Sequence, residues 1–304
     1  MSEKTGLLVA NGLDILGKYA SIVDLGNPTS DMADHDQYAP DAIVPTRLRA
    51  LHDSNDVQWL ESRLATRRTP ALGRIALVRP LSLSTERLGE LKQYADDHLP
   101  DAESSHLQQG RTRSLSADIP EGLWRPHGTL PSDAPSRLEY EVHDIFVSPS
   151  RRAMRTSTRM WLSEGQEQRV GVHLDNYFRQ KDAEQRLKAP SRFGLNLGPG
   201  ERSVIISSDI LDIEGEFRRQ KPDESGLTYT RSYNKWRLES GRPLRAIVLR
   251  VPVGIGYVCP TEAVLHDGSK LGVIEDNDQS QAAFWVGDFF TEDPAFDESF
   301  EIVT

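Results

Sequence analysis

The chain lacks most of the features that would assign it quickly. It has 1 cysteine, Cys259, among 304 residues. That excludes an internal disulfide and a cysteine-rich zinc site. It has no apolar run of the roughly 18 residues that a membrane helix needs, and its mean hydropathy is −0.52. It has no basic surplus either. A net charge of −10 argues against nucleic acid and anionic membrane as partners. No internal repeat and no long low-complexity tract interrupts it. The start, Met1-Ser2-Glu3-Lys4 followed by a polar stretch that carries Asp14, does not read as a secretory signal. A cytoplasmic location is therefore the expectation.

What is present divides into two textures. Residues 1–136 read as a helical and irregular region packed on a core. Residues 24–39 look like loop, 55–67 and 84–100 look like helices, and 74–81 looks like a strand. Residues 101–135 are rich in Ser, Gly, Pro and charge, with little periodicity. A stretch of that length inside a compact domain is either a lid or disorder. From about residue 137 short β-rich runs follow one another, at 138–147, 154–162, 168–173, 192–197, 202–207, 244–251, 256–264 and 281–287. Such a series predicts a mainly β fold with flanking helices. Its architecture would be a double-stranded β-helix, the jelly roll of the cupins. A long interruption at 214–243 would be an insert over the mouth of the barrel. Its Tyr229, Tyr233, Trp236 and arginines, with Arg179, would suit a carboxylated substrate or form a solvated connection.

The chemistry concentrates in Gly171-Val172-His173-Leu174-Asp175-Asn176. At strand spacing His173 and Asp175 share a face. Far downstream, Ala263-Val264-Leu265-His266-Asp267-Gly268-Ser269 offers a second histidine beside a turn signal. Two histidines and one carboxylate, with coordination positions left open, make the facial triad of non-haem Fe(II) oxygenases. His143-Asp144 is a poorer pair, because adjacent strand residues point to opposite faces. Arg192 opens the strand after the His-x-Asp element, and its guanidinium fork suits a carboxylate. Lys270 is the weaker candidate for that role.

These segments, with Arg192-Phe193-Gly194-Leu195-Asn196-Leu197-Gly198 and Tyr257-Val258-Cys259-Pro260-Thr261-Glu262, resemble bacterial Fe(II)/2-oxoglutarate-dependent oxygenases of natural-product pathways. The resemblance covers about residues 137–290. It implies that His173, Asp175 and His266 hold Fe(II), and that 2-oxoglutarate and dioxygen fill the open positions. It also implies a small-molecule substrate, amino-acid-derived or of similar size, that is hydroxylated at an unactivated carbon. Halogenases of this kind lack the carboxylate, so Asp175 favours hydroxylation over halogenation; desaturation and cyclisation stay open. Many members carry an arginine about ten residues after the distal histidine, and none follows His266 there. Arg192 would replace it as the cosubstrate anchor, with Asn196 and Ser269 as hydrogen-bond partners. Two other classes remain beside this one. One is a cupin-type metal enzyme that uses no 2-oxoglutarate; the other is a non-catalytic jelly-roll binding module.

Overall fold

A computed structural model of the chain describes residues 19–32, 35–50, 76–80, 85–98, 113–115, 141–149, 155–162, 166–175, 191–207, 220, 226–241, 244–262, 264–271, 279–287 and 300–302. The described residues are mostly strand. In chain order they are β1 (Ala20–Gly26), β2 (Tyr38–Ala50), β3 (Ala76–Pro80), helix α1 (Thr85–His98), β4 (Arg113–Leu115), β5 (Glu141–Pro149), β6 (Arg159–Leu162) and β7 (Gln166–Gly171). Then come β8 (Ser191–Gly198), β9 (Arg202–Ile206), helix α2 (Gly226–Glu239), β10 (Leu244–Val251), β11 (Gly256–Cys259), β12 (His266–Ser269), β13 (Gln279–Gly287) and β14 (Phe300–Ile302).

Two seven-stranded sheets result. One runs β12-β9-β10-β1-β2-β7-β6, the other β14-β3-β11-β8-β13-β5-β4. The first sheet curls until its far side meets its beginning. An antiparallel bridge joins His173, just past β7, to His266 at the start of β12. His173 N donates to His266 O at 3.1 Å, and His266 N donates to His173 O at 2.9 Å. The sheet is thereby nearly closed and barrel-like, and the two histidines form its seam.

Strand alternation sets the two faces of this sheet. Val23, Leu25, Ile205, Ala246 and Val248 are buried together with Val172, Leu174 and Tyr233 of α2. Val204, Ile206, Ile247 and Leu249 face the opposite way. They pack with Leu77 of β3 and Cys259 of β11 from the second sheet. Val172 and Leu174 therefore belong to the helix side. His173, directly opposite His266, belongs to the side that faces the second sheet.

Several expectations need correction. Residues 24–39 are not all loop, because β1 reaches Gly26 and β2 begins at Tyr38. Pro45 of β2 sits where the β1–β2 register shifts, between Asp24 and Leu25, and a bulge is where a sheet tolerates proline. The run at 256–264 is not one strand. β11 ends at Cys259, and Val264 N turns back to Pro260 O at 3.1 Å. Asp267-Gly268 is likewise strand rather than turn. The run at 154–162 is shorter, since 155–158 is irregular and β6 starts at Arg159. The helix at 84–100 appears as α1 and the strand at 74–81 as β3. The helix expected at 55–67 lies outside the described residues, as does most of 101–135. Within 214–243, α2 turns Tyr233 into the core, and Arg237 is buried too. No helix among the described residues is long and apolar enough to cross a membrane.

Candidate metal centre

The site begins with a glycine. Gly171 ends β7 at φ 72°, a left-handed conformation that favours glycine. It lies against β2, where Val172 N donates to Ile43 O at 2.8 Å. The chain then runs His173-Leu174-Asp175, with Asp175 N donating to Thr261 O at 3.0 Å. That bond ties the carboxylate-bearing residue to the turn before His266, so both halves of the site share one backbone frame.

His173, Asp175 and His266 converge there. Their ligating atoms lie within 4.8 Å of one another. Among the described residues this is the one group of three or more His, Cys, Asp or Glu side chains able to hold a metal ion. His173 Nε2 stands 3.6 Å from Asp175 Oδ1, and His266 Nε2 stands 3.6 Å from Asp175 Oδ2. The rings lie 4.9 Å apart, centre to centre. A first-row metal with bonds of about 2.1 Å needs a contraction that side-chain rotation can supply.

The backbone sets the tautomers. His173 Nδ1 lies 3.1 Å from Gly171 O, and His266 Nδ1 lies 3.0 Å from Val264 O. A carbonyl only accepts, so in each neutral ring Nδ1 carries the proton. Each Nε2 is left with its lone pair facing the cluster, the orientation that metal-binding histidines require. The donor set therefore fits a divalent metal of the two-histidine, one-carboxylate type.

Arg192 does not stand off to await a cosubstrate. Its Nη2 lies 2.8 Å from Asp175 Oδ2, and its guanidinium carbon lies 5.5 Å from the centre of the Phe284 ring. β8 presents it beside Cys259, its neighbour across β11. Asn196 is committed elsewhere. Its Nδ2 donates to Gly200 O at 2.9 Å and to Val251 O at 2.7 Å, while its Oδ1 accepts from Gly198 N at 2.9 Å. It shapes the turn after β8 and does not join the triad. Ser269 is buried, and its Oγ accepts from Leu271 N at 3.0 Å. Lys270 Nζ donates to Glu201 O at 2.9 Å. Glu262 and Cys259 are both buried.

Asp267 is the residue that sequence reasoning missed. Its side chain is fully enclosed and its Oδ2 lies 3.8 Å from His173 Nδ1. Oδ1 accepts from Ser157 N at 3.2 Å and Oγ at 3.0 Å, and from Thr158 N at 3.2 Å and Oγ1 at 3.0 Å. These bonds pull 155–158 out of strand geometry. No linear spacing signals them, because the partners lie over a hundred positions apart.

The charges divide the two histidines. Burial opposes a charged His173, but the Asp175 carboxylate and the negative field of Asp267 outweigh it and raise its pKa above 6.5. Burial pushes His266 down to about 4, and the positive fields of His173 and Arg192 act in the same direction. Burial also opposes charge on Asp175, yet Arg192 and the two imidazoles hold its carboxyl well below the usual range. Burial raises Asp267.

A metal must displace a proton from His173 near neutrality, whereas His266 is already deprotonated. Between about pH 5 and 6.5 the logarithm of Mn(II) affinity is expected to fall by one unit per pH unit. A steeper slope appears only as pH approaches about 4, where His266 also titrates. Mn(II) titrations across this range check it; a slope of two throughout would contradict the division. Searches of the chain against family models and against curated proteins find no match.

Proposed function

We propose that the chain is an Fe(II)- and 2-oxoglutarate-dependent oxygenase that hydroxylates a small, amino-acid-derived or similar substrate. The observation that carries this reading is the triad of His173, Asp175 and His266, with both Nδ1 atoms tied back to carbonyls and both Nε2 atoms left to ligate. A double-stranded β-helix is part of the reading. Strand pairing supports it: β5-β13-β8-β11 forms one row, and β7-β12-β9-β10 forms another through the His173–His266 bridge. From β7 onward the core chain crosses between rows at each step except β9 to β10. Such interleaving characterises a jelly roll.

His173 and His266 would supply the two neutral ligands and Asp175 the anionic one. Arg192 would hold the second oxygen of Asp175 and so fix the carboxylate's direction. The bound metal with its 2-oxoacid would supply the oxidising chemistry. The burial of His173 and His266, with Asp175 only slightly exposed, would limit the access of bulk water to that chemistry. Dioxygen and the substrate would enter the space between the two sheets.

One observation favours a metal enzyme without a 2-oxoacid: Arg192, the expected anchor, is engaged by Asp175. Anaerobic addition of Fe(II) and then 2-oxoglutarate decides between the two. The oxygenase reading expects a weak visible charge-transfer band that appears only with both present, and succinate once air is admitted. Iron binding with neither band nor succinate overturns it in favour of the second reading.

A further inference from the structure

We infer that Asp267 is a positioning residue for His173: its carboxylate holds the chain before β6 aside, so that β12 takes the place beside β7 where His173 meets His266. The inference rests on the metal-centre reading above in taking His173 as a ligand.

The ladder between β6 and β7 shows what is displaced. Arg159 pairs with Arg169, and the pairing runs on to Leu162 and Gln166. One further bond continues it in the other direction: Val170 N donates to Thr158 O at 3.2 Å. Extended in the same register, the ladder would set Ser157 beside Gly171 and Arg155 beside His173. His266 stands beside His173 instead. The chain before Ser157 is tied to β2, where Thr156 Oγ1 donates to the Tyr38 hydroxyl at 3.4 Å and Arg155 Nη1 donates to Pro45 O. Between Val170 and His173 the chain of β7 thus exchanges β6 for β12 as its neighbour.

That exchange takes the amides of Ser157 and Thr158 out of the ladder, and buried backbone donors need acceptors. Asp267 supplies them. Its Oδ1 accepts from both amides at 3.2 Å and from both hydroxyls at 3.0 Å. Gly268, the next residue, leaves the room: a Cβ there would stand 2.6 Å from Ser157 Oγ. Oδ2 accepts from Thr158 N at 3.4 Å and lies 3.8 Å from His173 Nδ1. Gly171 O accepts at that same ring nitrogen from the β7 side. One carboxylate therefore fills both tasks, pairing the displaced chain and facing the ring that takes its place.

A carboxylate suits this position and an amide does not. The two backbone N–H groups and the protonated Nδ1 of His173 can only donate, and both hydroxyls donate here. Arg202 is the opposing cation, with Nη2 3.5 Å from the place of a Cβ at Gly268 and its charge in the field of Asp267. An amide at 267 would turn its NH2 toward donors in either orientation. It would push away either Ser157 and Thr158 or the ring of His173.

Two measurements on folded protein test this: residue-resolved amide hydrogen exchange without metal, and Mn(II) titration. Wild type is compared with D267N, D267E and G268A, each first checked for cooperative thermal unfolding. The His173 amide is bonded to His266 O across the seam, and the Val172 amide to Ile43 O of β2. In D267N the first should exchange faster relative to the second by about 10-fold or more. Mn(II) affinity should fall by roughly 10- to 100-fold. D267E keeps the carboxylate and should recover part of both losses. G268A pushes Ser157 off β12 and should show both losses to a smaller degree. If both amides accelerate alike, Asp267 contributes general stability alone and the positioning role is overturned. Unchanged Mn(II) affinity in folded D267N overturns it too, and leaves the metal-centre reading standing. If wild type binds no Mn(II), that reading fails and this inference falls with it. Should D267N fail to fold, G268A carries the same two readouts and the same decision.

Discussion

Asp175→Ala is expected to lose both metal and stability, and a second substitution should separate the two losses. The carboxylate is the only anionic member of the triad. Removing it leaves two neutral imidazoles, so divalent metal affinity should fall by at least about 100-fold, beyond the 10- to 100-fold typical of losing an outer hydrogen-bond partner. The stability loss has another origin. Arg192 pairs with Asp175 at 2.8 Å, and the two side chains are only 17% and 13% exposed. Breaking a buried pair strands the remaining charge, which costs about 3–5 kcal/mol when the site is dry. The slight exposure here reduces that to roughly 2–4 kcal/mol. Arg192→Met in the same background removes the stranded cation, fills a similar volume and leaves an apolar side chain against Phe284. The double variant should recover most of the unfolding free energy and none of the metal affinity. Denaturant unfolding of the metal-free proteins and Mn(II) titration measure the two quantities independently. A double variant as unstable as Asp175→Ala alone would show that the pair is not the source of the cost.

The same pair marks the limit of what the linear chain displayed. His173, Asp175 and His266 were legible because a ligand set has a chemical signature and because strand alternation puts i and i+2 on one side. The strand at 244–251 was legible from its apolar run Ala246 to Leu249, and the strand at 192–197 from the alternation of Phe193, Leu195 and Leu197. The partner of Asp175 was not legible. Arg192 is a good carboxylate receptor by type, but the carboxylate it receives is the protein's own, and only register across β8 and β11 brings the two together. Asn196 shows a second kind of partner that the linear chain hides: near the end of β8 its amide donates to the backbone carbonyls of Gly200 and Val251.

β1 and β2 failed through punctuation. Residues 24–39 read as loop from their Asp, Gly, Pro and Asn, yet β1 alternates buried Val23 and Leu25 with the less buried Asp24. β1 also has strand partners on both sides, β2 and β10. Both strands are required for the first sheet to curl. Without them β7 would have only β6 as a full partner, and the seam at His173 would have no frame. The region that the sequence left unread therefore holds the candidate metal-binding segment in place.

Gly171→Ala tests that dependence and is expected to be among the most damaging single methyl additions in the chain. An ideal Cβ at position 171 would lie 2.1 Å from Ile43 O and 2.9 Å from Ile43 C and N. These are backbone atoms of β2, so no side-chain rotation relieves the clash. The strands must separate, and the bond from Val172 N to Ile43 O at 2.8 Å goes with them. The positive φ of 72° adds a further penalty of about 1 kcal/mol for any residue with a Cβ. Overpacking of 1–3 kcal/mol and loss of a buried backbone bond of about 1 kcal/mol bring the expected destabilisation to roughly 3–5 kcal/mol. The effect reaches the metal centre by a short path. Gly171 O is the acceptor that fixes Nδ1 of His173, so a displaced carbonyl frees the ring to turn its Nε2 away. Metal affinity should therefore fall even under conditions where the variant is fully folded. Gly254→Ala is the control. It also has a positive φ, 78°, but its added Cβ would meet only a leucine methyl, Leu88 Cδ2 at 3.3 Å. It should cost about 1 kcal/mol and leave Mn(II) binding unchanged. Equal metal affinity in folded Gly171→Ala and wild type would mean that the His173 ring is held by its packing against His266 and not by the β7 backbone.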